Sequence, residues 1–154
     1  MDWGMVSAIS TAFMALVILI TAIFAALQLR EISKSRKADT FRGLSQYLQR
    51  EEIREARRIL IGISGKDLKG WSKEEIEAAE KASHTYDVAG VMVFRKLIEK
   101  ELVVDEWRHS IIKCWEAAEP MIKGYQRERG KDFWHNFERL YEEAKKTKAA
   151  DNPA

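Results

Sequence analysis

Cysteine, proline and net charge are all scarce in this chain, and each scarcity excludes something. Cys114 is the single cysteine. It can form no internal disulfide and no cysteine-based zinc cluster, and it fits a reducing compartment. The prolines are Pro120 and Pro153. The formal charge is only +2, and residues 43–154 hold 21 acidic and 21 basic side chains, so the excess arises around residues 30–42. A balanced remainder lacks the basic face that non-specific nucleic-acid binding requires, and no nucleic-acid polymer is expected as a partner. Period-two alternation is missing throughout, which excludes a sheet protein. Gly62, Gly65 and Gly70 are spaced unlike a dinucleotide or P-loop cradle, so residues 62–71 read as a connection.

What is present begins with residues 3–29, which carry no ionisable group. As a helix this run reaches about 40 Å, enough to cross a hydrocarbon core of about 30 Å. Its start has Asp2 and no Lys or Arg, and the run is too long for a secretory signal core. Ser7, Ser10, Thr11 and Thr21 are its hydroxyl residues, and such groups bond back to the helix's own carbonyls. The expectation is a transmembrane helix, with Trp3 as interfacial anchor and Phe13, Leu16, Ile20 and Phe24 among its lipid-facing residues. Arg30, Lys34, Arg36, Lys37 and Arg42 follow at once. Basic residues beside a span stay in the cytoplasm, so the N-terminus is expected outside and the C-terminal part inside an inner (plasma) membrane. The cluster also suits anionic headgroups, although a stop-transfer signal is the simpler account of it. Ala8, Ala12, Ala15, Leu19, Ala22 and Ala26 recur at a 4-3-4-3-4 spacing, a small-residue face through which two helices can associate.

The rest reads as helices joined by short connections. Asp39 is either the N-cap of a second helix or a polar residue within one long helix. From Phe41, apolar residues at helical spacing run to Ile63, with a lapse around residues 49–52. Ser72 and Glu75 form a capping box ahead of the seam Ile76, Ala79, Ser83, Tyr86, Gly90, Val93 and Leu97. A glycine in such a seam indicates a close neighbour, and Asp87 beside it is either half-exposed or paired, capping a neighbouring helix or meeting an arginine. A fourth helix is expected from about Asp105, with Trp107, Ile111, Cys114 and Trp115 on its apolar face and a kink or interruption at Pro120. Gly130 should end it. Asp132 should cap a fifth helix that buries Phe133 or Trp134, then Phe137 and Leu140, ahead of a frayed tail.

The order Tyr86-Asp87-x-x-Gly90, then LIEKELVVDEW ending at Trp107, then Trp115, Pro120 and Phe137-Glu138-x-Leu140 resembles a family of small prokaryotic proteins defined only as a domain of unknown function. The likeness covers about residues 5–144. It implies one N-terminal span joined to a helical cytoplasmic domain, and it implies packing roles for Trp115, Pro120 and Phe137. It implies no activity.

Little else suggests chemistry. Glu106-x-x-His109 has the spacing of di-iron bundle ligands, but its nearest partner, Asp132-x-x-His135, offers the wrong carboxylate at a helix start. No metal, cofactor or catalytic residue is therefore expected. His84 reads as a helix-surface residue and Cys114 as a packing thiol. Arg95, Lys96, Arg127, Arg129 and Lys131 could converge near helix ends on a phosphate. The expected architecture is all-α: an anchor over residues 1–29, a basic segment over 30–38, a four-helix cytoplasmic bundle over 39–146 and a flexible tail over 147–154. Tyr86, Gly90, Trp107, Trp115, Pro120 and Phe137 are its expected structural core. The expected function is a membrane-anchored interaction or scaffold module without catalysis, whose partners are the bilayer, an unidentified protein and further copies of itself. The alternative is a ligand-responsive oligomeric membrane effector, as in bacterial defence.

Overall fold

A computed structural model describes the backbone of residues 3–150, without the side chains of Met5, Val6, Ala8, Lys34 and residues 147–150. Of the positions singled out above, Ala8 and Lys34 thus lie outside the described side chains, and residues 151–154 of the expected tail lie outside the description altogether. All regular structure among the described residues is helical: α1 (Trp3–Leu48), α2 (Glu51–Gly62), a short 3-10 turn (Leu68–Gly70), α3 (Lys73–Phe94), α4 (Lys100–Arg129) and α5 (His135–Ala150). The chain divides into two compact units at Asp39 and Thr40.

The first unit is the uncharged stretch and its basic continuation, all within α1. Thr11 and Thr21 donate from Oγ1 to the carbonyls of Ser7 and Val17, at 3.0 and 2.8 Å. These bonds remove the cost of leaving a hydroxyl unsatisfied in an apolar medium. Asp39 caps nothing; α1 passes through it and stops only at Leu48. The lapse in the apolar pattern marks the true break, where Gln49 and Arg50 separate α1 from α2.

In the second unit α2–α5 pack against one another as a four-helix bundle, to whose core the end of α1 adds Leu44 and Leu48. Leu44 and Leu48 of α1 join Leu60, Tyr86, Trp107, Ile111, Trp115, Ile122, Phe137 and Leu140 in one buried cluster. At its centre the Phe137 ring stacks on Tyr86 (centroids 5.2 Å apart) and meets Trp115 edge-on (5.1 Å). Such ring pairs add about 0.5–1.5 kcal/mol each beyond their buried area. The capping box at the start of α3 is present in full: Glu75 N donates to Ser72 Oγ, and Ser72 N donates to Glu75 Oε2.

Gly90 and Asp87 do what their place in the seam suggested. A Cβ on Gly90 would come within 2.8 and 2.9 Å of the carbonyl carbon and Cβ of Asn136 and closer still to its oxygen, so α5 crosses α3 backbone to backbone. One turn earlier, Asp87 Oδ1 accepts from the Phe137 backbone N at 3.1 Å. Of the readings open for Asp87, the structure selects the cap of a neighbouring helix.

Three expectations are corrected. α4 starts at Lys100, a full turn before Asp105, because Val103 and Val104 are both buried and draw that turn onto the core. It also runs unbroken through Pro120, which is exposed and does not pack in the core. Glu116 and Glu119 are exposed beside it, so the carbonyl deprived of an N–H partner lies on the side open to water. α5 starts at His135, not after an Asp132 cap; Asp132 lends only its carbonyl, to His135 N at 3.2 Å. Its cap comes from α3. α5 then continues to Ala150, through the first residues of the expected tail.

Candidate functional site

Two surfaces stand out. The first is the apolar length of α1. Its described large side chains from Trp3 to Leu29, including Phe13, Leu16, Ile20 and Phe24, are between 46% and 83% exposed. An 18-residue window of the helix reaches a mean hydropathy of 2.5 with none of it buried. A soluble protein's core helix of this composition would be covered, so the exposure identifies a surface that water alone does not accommodate. Ala12, Ala15, Ala22 and Ala26 are exposed too, as are Arg30, Arg36 and Arg42, while Lys37 is half-buried.

The second is a cleft of about 970 Å³ in the second unit. Glu52, Glu55, Ala56 and Ile59 of α2 form one wall, and Glu74, Glu77, Glu80, Lys81 and His84 of α3 form the other. Arg129, Phe133 and Trp134, from the connection between α4 and α5, close one end. Several acids are already engaged: Glu55 with Arg58, Glu77 with Lys73 at 3.6 Å, and Glu80 as acceptor for the Tyr125 hydroxyl. That last bond holds the Tyr125 phenol above its ordinary range, with burial adding to the effect. Glu52 and Glu74 have no such partner among the described residues. The aromatic end is occupied by the chain itself, because the Arg129 guanidinium lies 4.7 Å from the Tyr125 centroid and 5.1 Å from that of Phe133. Trp134 sits beside them with φ of 51°, a left-handed conformation that costs a non-glycine residue about 1 kcal/mol or more. Its ring contacts offset that strain. The result is an acid-rimmed groove with an aromatic stop at one end.

The buried thiol of Cys114 and phenol of Tyr86 are both held in their neutral forms. Burial pushes the Cys114 thiol up to about 11, against the smaller opposing effect of its contact with Ser110. Burial likewise raises the Tyr86 phenol, which donates to Ser110 Oγ at 2.7 Å and accepts from Arg57 at 3.5 Å. Glu106 and His109 are both exposed on α4, and Asp132 and His135 are exposed at the start of α5. Among the described residues no three His, Cys, Asp or Glu side chains are grouped to hold a metal ion. The five basic residues considered for a phosphate do not share one site. Arg129 lines the acidic cleft, Arg127 donates to the Lys123 carbonyl at 3.2 Å, and Arg95 lines a separate small cleft. Nothing in the local sequence foretold the groove, since its walls are helix faces whose charges alternate like any solvated surface.

These features define an all-helical bundle continuous in sequence with an uncovered apolar helix. The chain belongs to the family described as a domain of unknown function (DUF4760), whose pattern matches residues 15–144. No curated protein and no solved structure matches it.

Proposed function

We propose that the protein is a single-pass membrane-anchored interaction module that performs no catalysis. The reading is carried by the uncovered apolar length of α1. Residues 3–29 hold no charge, and the large side chains described there all face outward. Placing the eleven Leu, Ile, Val and Phe residues between Met5 and Leu27 in lipid favours insertion by about 3–7 kcal/mol. The basic residues after the span favour a cytoplasmic second unit beneath a plasma membrane. The inert state of Cys114 and Tyr86 supports a non-catalytic role, and the acid-rimmed groove is the face offered to a protein partner of basic character.

Alkaline carbonate extraction of membranes should leave the full-length chain in the pellet, and a reporter fused after Ala154 should be active in the cytosol only. Freely soluble full-length protein, or a reporter active outside, would end the reading. Reversing Glu52 and Glu74 to lysine should abolish co-purification of a protein partner without changing the membrane fraction.

The exposed small-residue stripe Ala12, Ala15, Ala22 and Ala26 favours a second reading, an oligomeric membrane effector responsive to a ligand. Its distinguishing result is ligand-dependent toxicity on overexpression that Ala15→Leu or Ala22→Leu abolishes. A scaffold leaves membrane conductance unchanged.

A further inference from the structure

Where the last turn of α3 meets the first turns of α5, Val91, Phe94, Arg95, Asn136 and Arg139 line a cleft of about 300 Å³. Two of these side chains are guanidinium groups, one is an amide, and none is an acid. Neither guanidinium has a hydrogen bond or ion pair with another described residue. Arg139 is nevertheless held in place. Its guanidinium carbon lies 3.7 Å from the centroid of the Phe94 ring, so one face of the planar fork is covered while its N–H edges stay available.

The end of α3 opposes an anion less than a bare helix end would. Carbonyls at the end of a helix carry negative partial charge and repel one. Here the carbonyls of Val91 and Val93 accept from Arg95 N and Lys96 N, each at 2.9 Å. The Met92 carbonyl accepts from Leu97 N at 2.9 Å and Ile98 N at 3.3 Å. The opposite wall cannot drift, because Asn136 is pressed against Gly90 with no room between them for a methyl group. Two cationic forks are thereby held on turns whose separation is fixed. A carboxylate has two oxygens and satisfies one fork; a phosphoryl group has three terminal oxygens and up to two charges, enough for both forks and the amide.

We propose that this cleft binds a phosphoryl group, with Arg139 as the stacked fork, Arg95 as the second and Asn136 as a neutral donor. The volume admits the phosphoryl group and little more, so the remainder of the ligand extends into solvent. The phosphoryl group could belong to a free phosphate compound or to a lipid headgroup. The inference is independent of the membrane anchor and of the acidic groove.

The test uses the full chain in non-ionic detergent, titrated with inorganic phosphate at constant ionic strength and followed by calorimetry. Saturable binding is expected that chloride at matched ionic strength does not displace. Arg139→Gln and Arg95→Gln should each weaken it by about tenfold or more. Arg139→Lys, which keeps the charge and loses the fork, should fall between these and the parent chain. Arg127→Gln, outside the cleft, should leave binding unchanged. Circular dichroism establishes that each variant is folded, and Arg139→Lys serves if Arg139→Gln is not. A second arm places the chain in phosphatidylcholine bilayers with and without phosphatidic acid, whose headgroup is a phosphate monoester. Retention of phosphatidic acid that Arg139→Gln or Arg139→Lys reduces, without binding of inorganic phosphate, assigns the cleft to a headgroup and supports the proposal. Binding of neither probe, or binding that the cleft substitutions do not alter, overturns it.

Discussion

Three positions where α3 meets the rest of the bundle show how single residues fix its geometry. Gly90 permits a backbone approach that no other residue allows. Gly90→Ala must push α5 away or strain both helices, at a cost of about 1–3 kcal/mol or more, since the obstacle is backbone rather than a flexible side chain. Thermal unfolding of the full chain in detergent, followed by near-ultraviolet circular dichroism, should show a midpoint several degrees lower. Asp87 supplies the α5 cap from another helix. Asp87→Ala leaves the Phe137 N–H without its acceptor and should cost about 1–2 kcal/mol, whereas Asp87→Asn keeps an oxygen there and should cost less. Equal losses in the two variants would refute the cap. Lys96 closes α3 with φ of 59°, the position in this reverse turn where glycine is normally found. Lys96→Gly should therefore raise stability by about 1 kcal/mol, read in the same unfolding experiment. The residue types of Gly90 and Asp87 were informative because a helical seam gives neither a reason to be there. The partnership of Arg139 with Phe94 carried no such signal, since only packing brings residues 45 positions apart into register.

At the level of elements, α4 and α5 are joined by polar ties along their length as well as by the aromatic core. Lys123 Nζ donates to Glu138 Oε1 and Lys100 Nζ to Glu143 Oε2, each at 2.6 Å. The Lys100 bond, followed by that from Lys146, holds the Glu143 carboxyl down at about 2, below its ordinary value of 4.5. A depressed carboxyl stabilises the fold above its unfolded pKa, and that contribution is lost as pH falls through the folded value. The loss should thus occur between about pH 4.5 and pH 2. Both partners are partly exposed, so solvent screening keeps the effect near 1 kcal/mol or below. Glu143→Gln should unfold at a lower temperature than the parent chain at neutral pH, and the two midpoints should converge as pH approaches the lower limit. Parallel curves would show that Glu143 contributes nothing through its charge. Helix existence was readable wherever apolar spacing, a capping box or a terminal glycine marked it. Helix ends were not readable where tertiary contact decided them. The N-cap of α4, Glu99, makes no side-chain cap bond, and α5 takes its cap from a residue 50 positions earlier. Passage of α4 through Pro120 was equally hidden, because it depends on which side of the helix meets water.

The whole molecule joins a unit that hides its apolar residues to one that displays them, and this contrast is what makes its sequence legible at the largest scale. Residues 3–29 could be read as a helix without a polar face from composition alone, while the groove and the basic cleft required four helices to be brought together. The same contrast gives a quantitative test of the anchor. On the insertion scale a centrally placed arginine opposes membrane entry by about 2.5–3.5 kcal/mol, a substantial part of the gain that the apolar residues provide. Ile20→Arg near the middle of the run should therefore shift a measurable fraction of the chain out of the carbonate-resistant pellet, and adding Leu16→Arg should shift most of it. Arg substitution at exposed Gln46, near the end of the same helix but in the other unit, should leave the partition unchanged. If Ile20→Arg and Gln46→Arg behave alike, the apolar length of α1 is covered by something other than lipid. A second protein chain would then be the remaining source of apolar surface, and the partition would depend on protein concentration rather than on bilayer content.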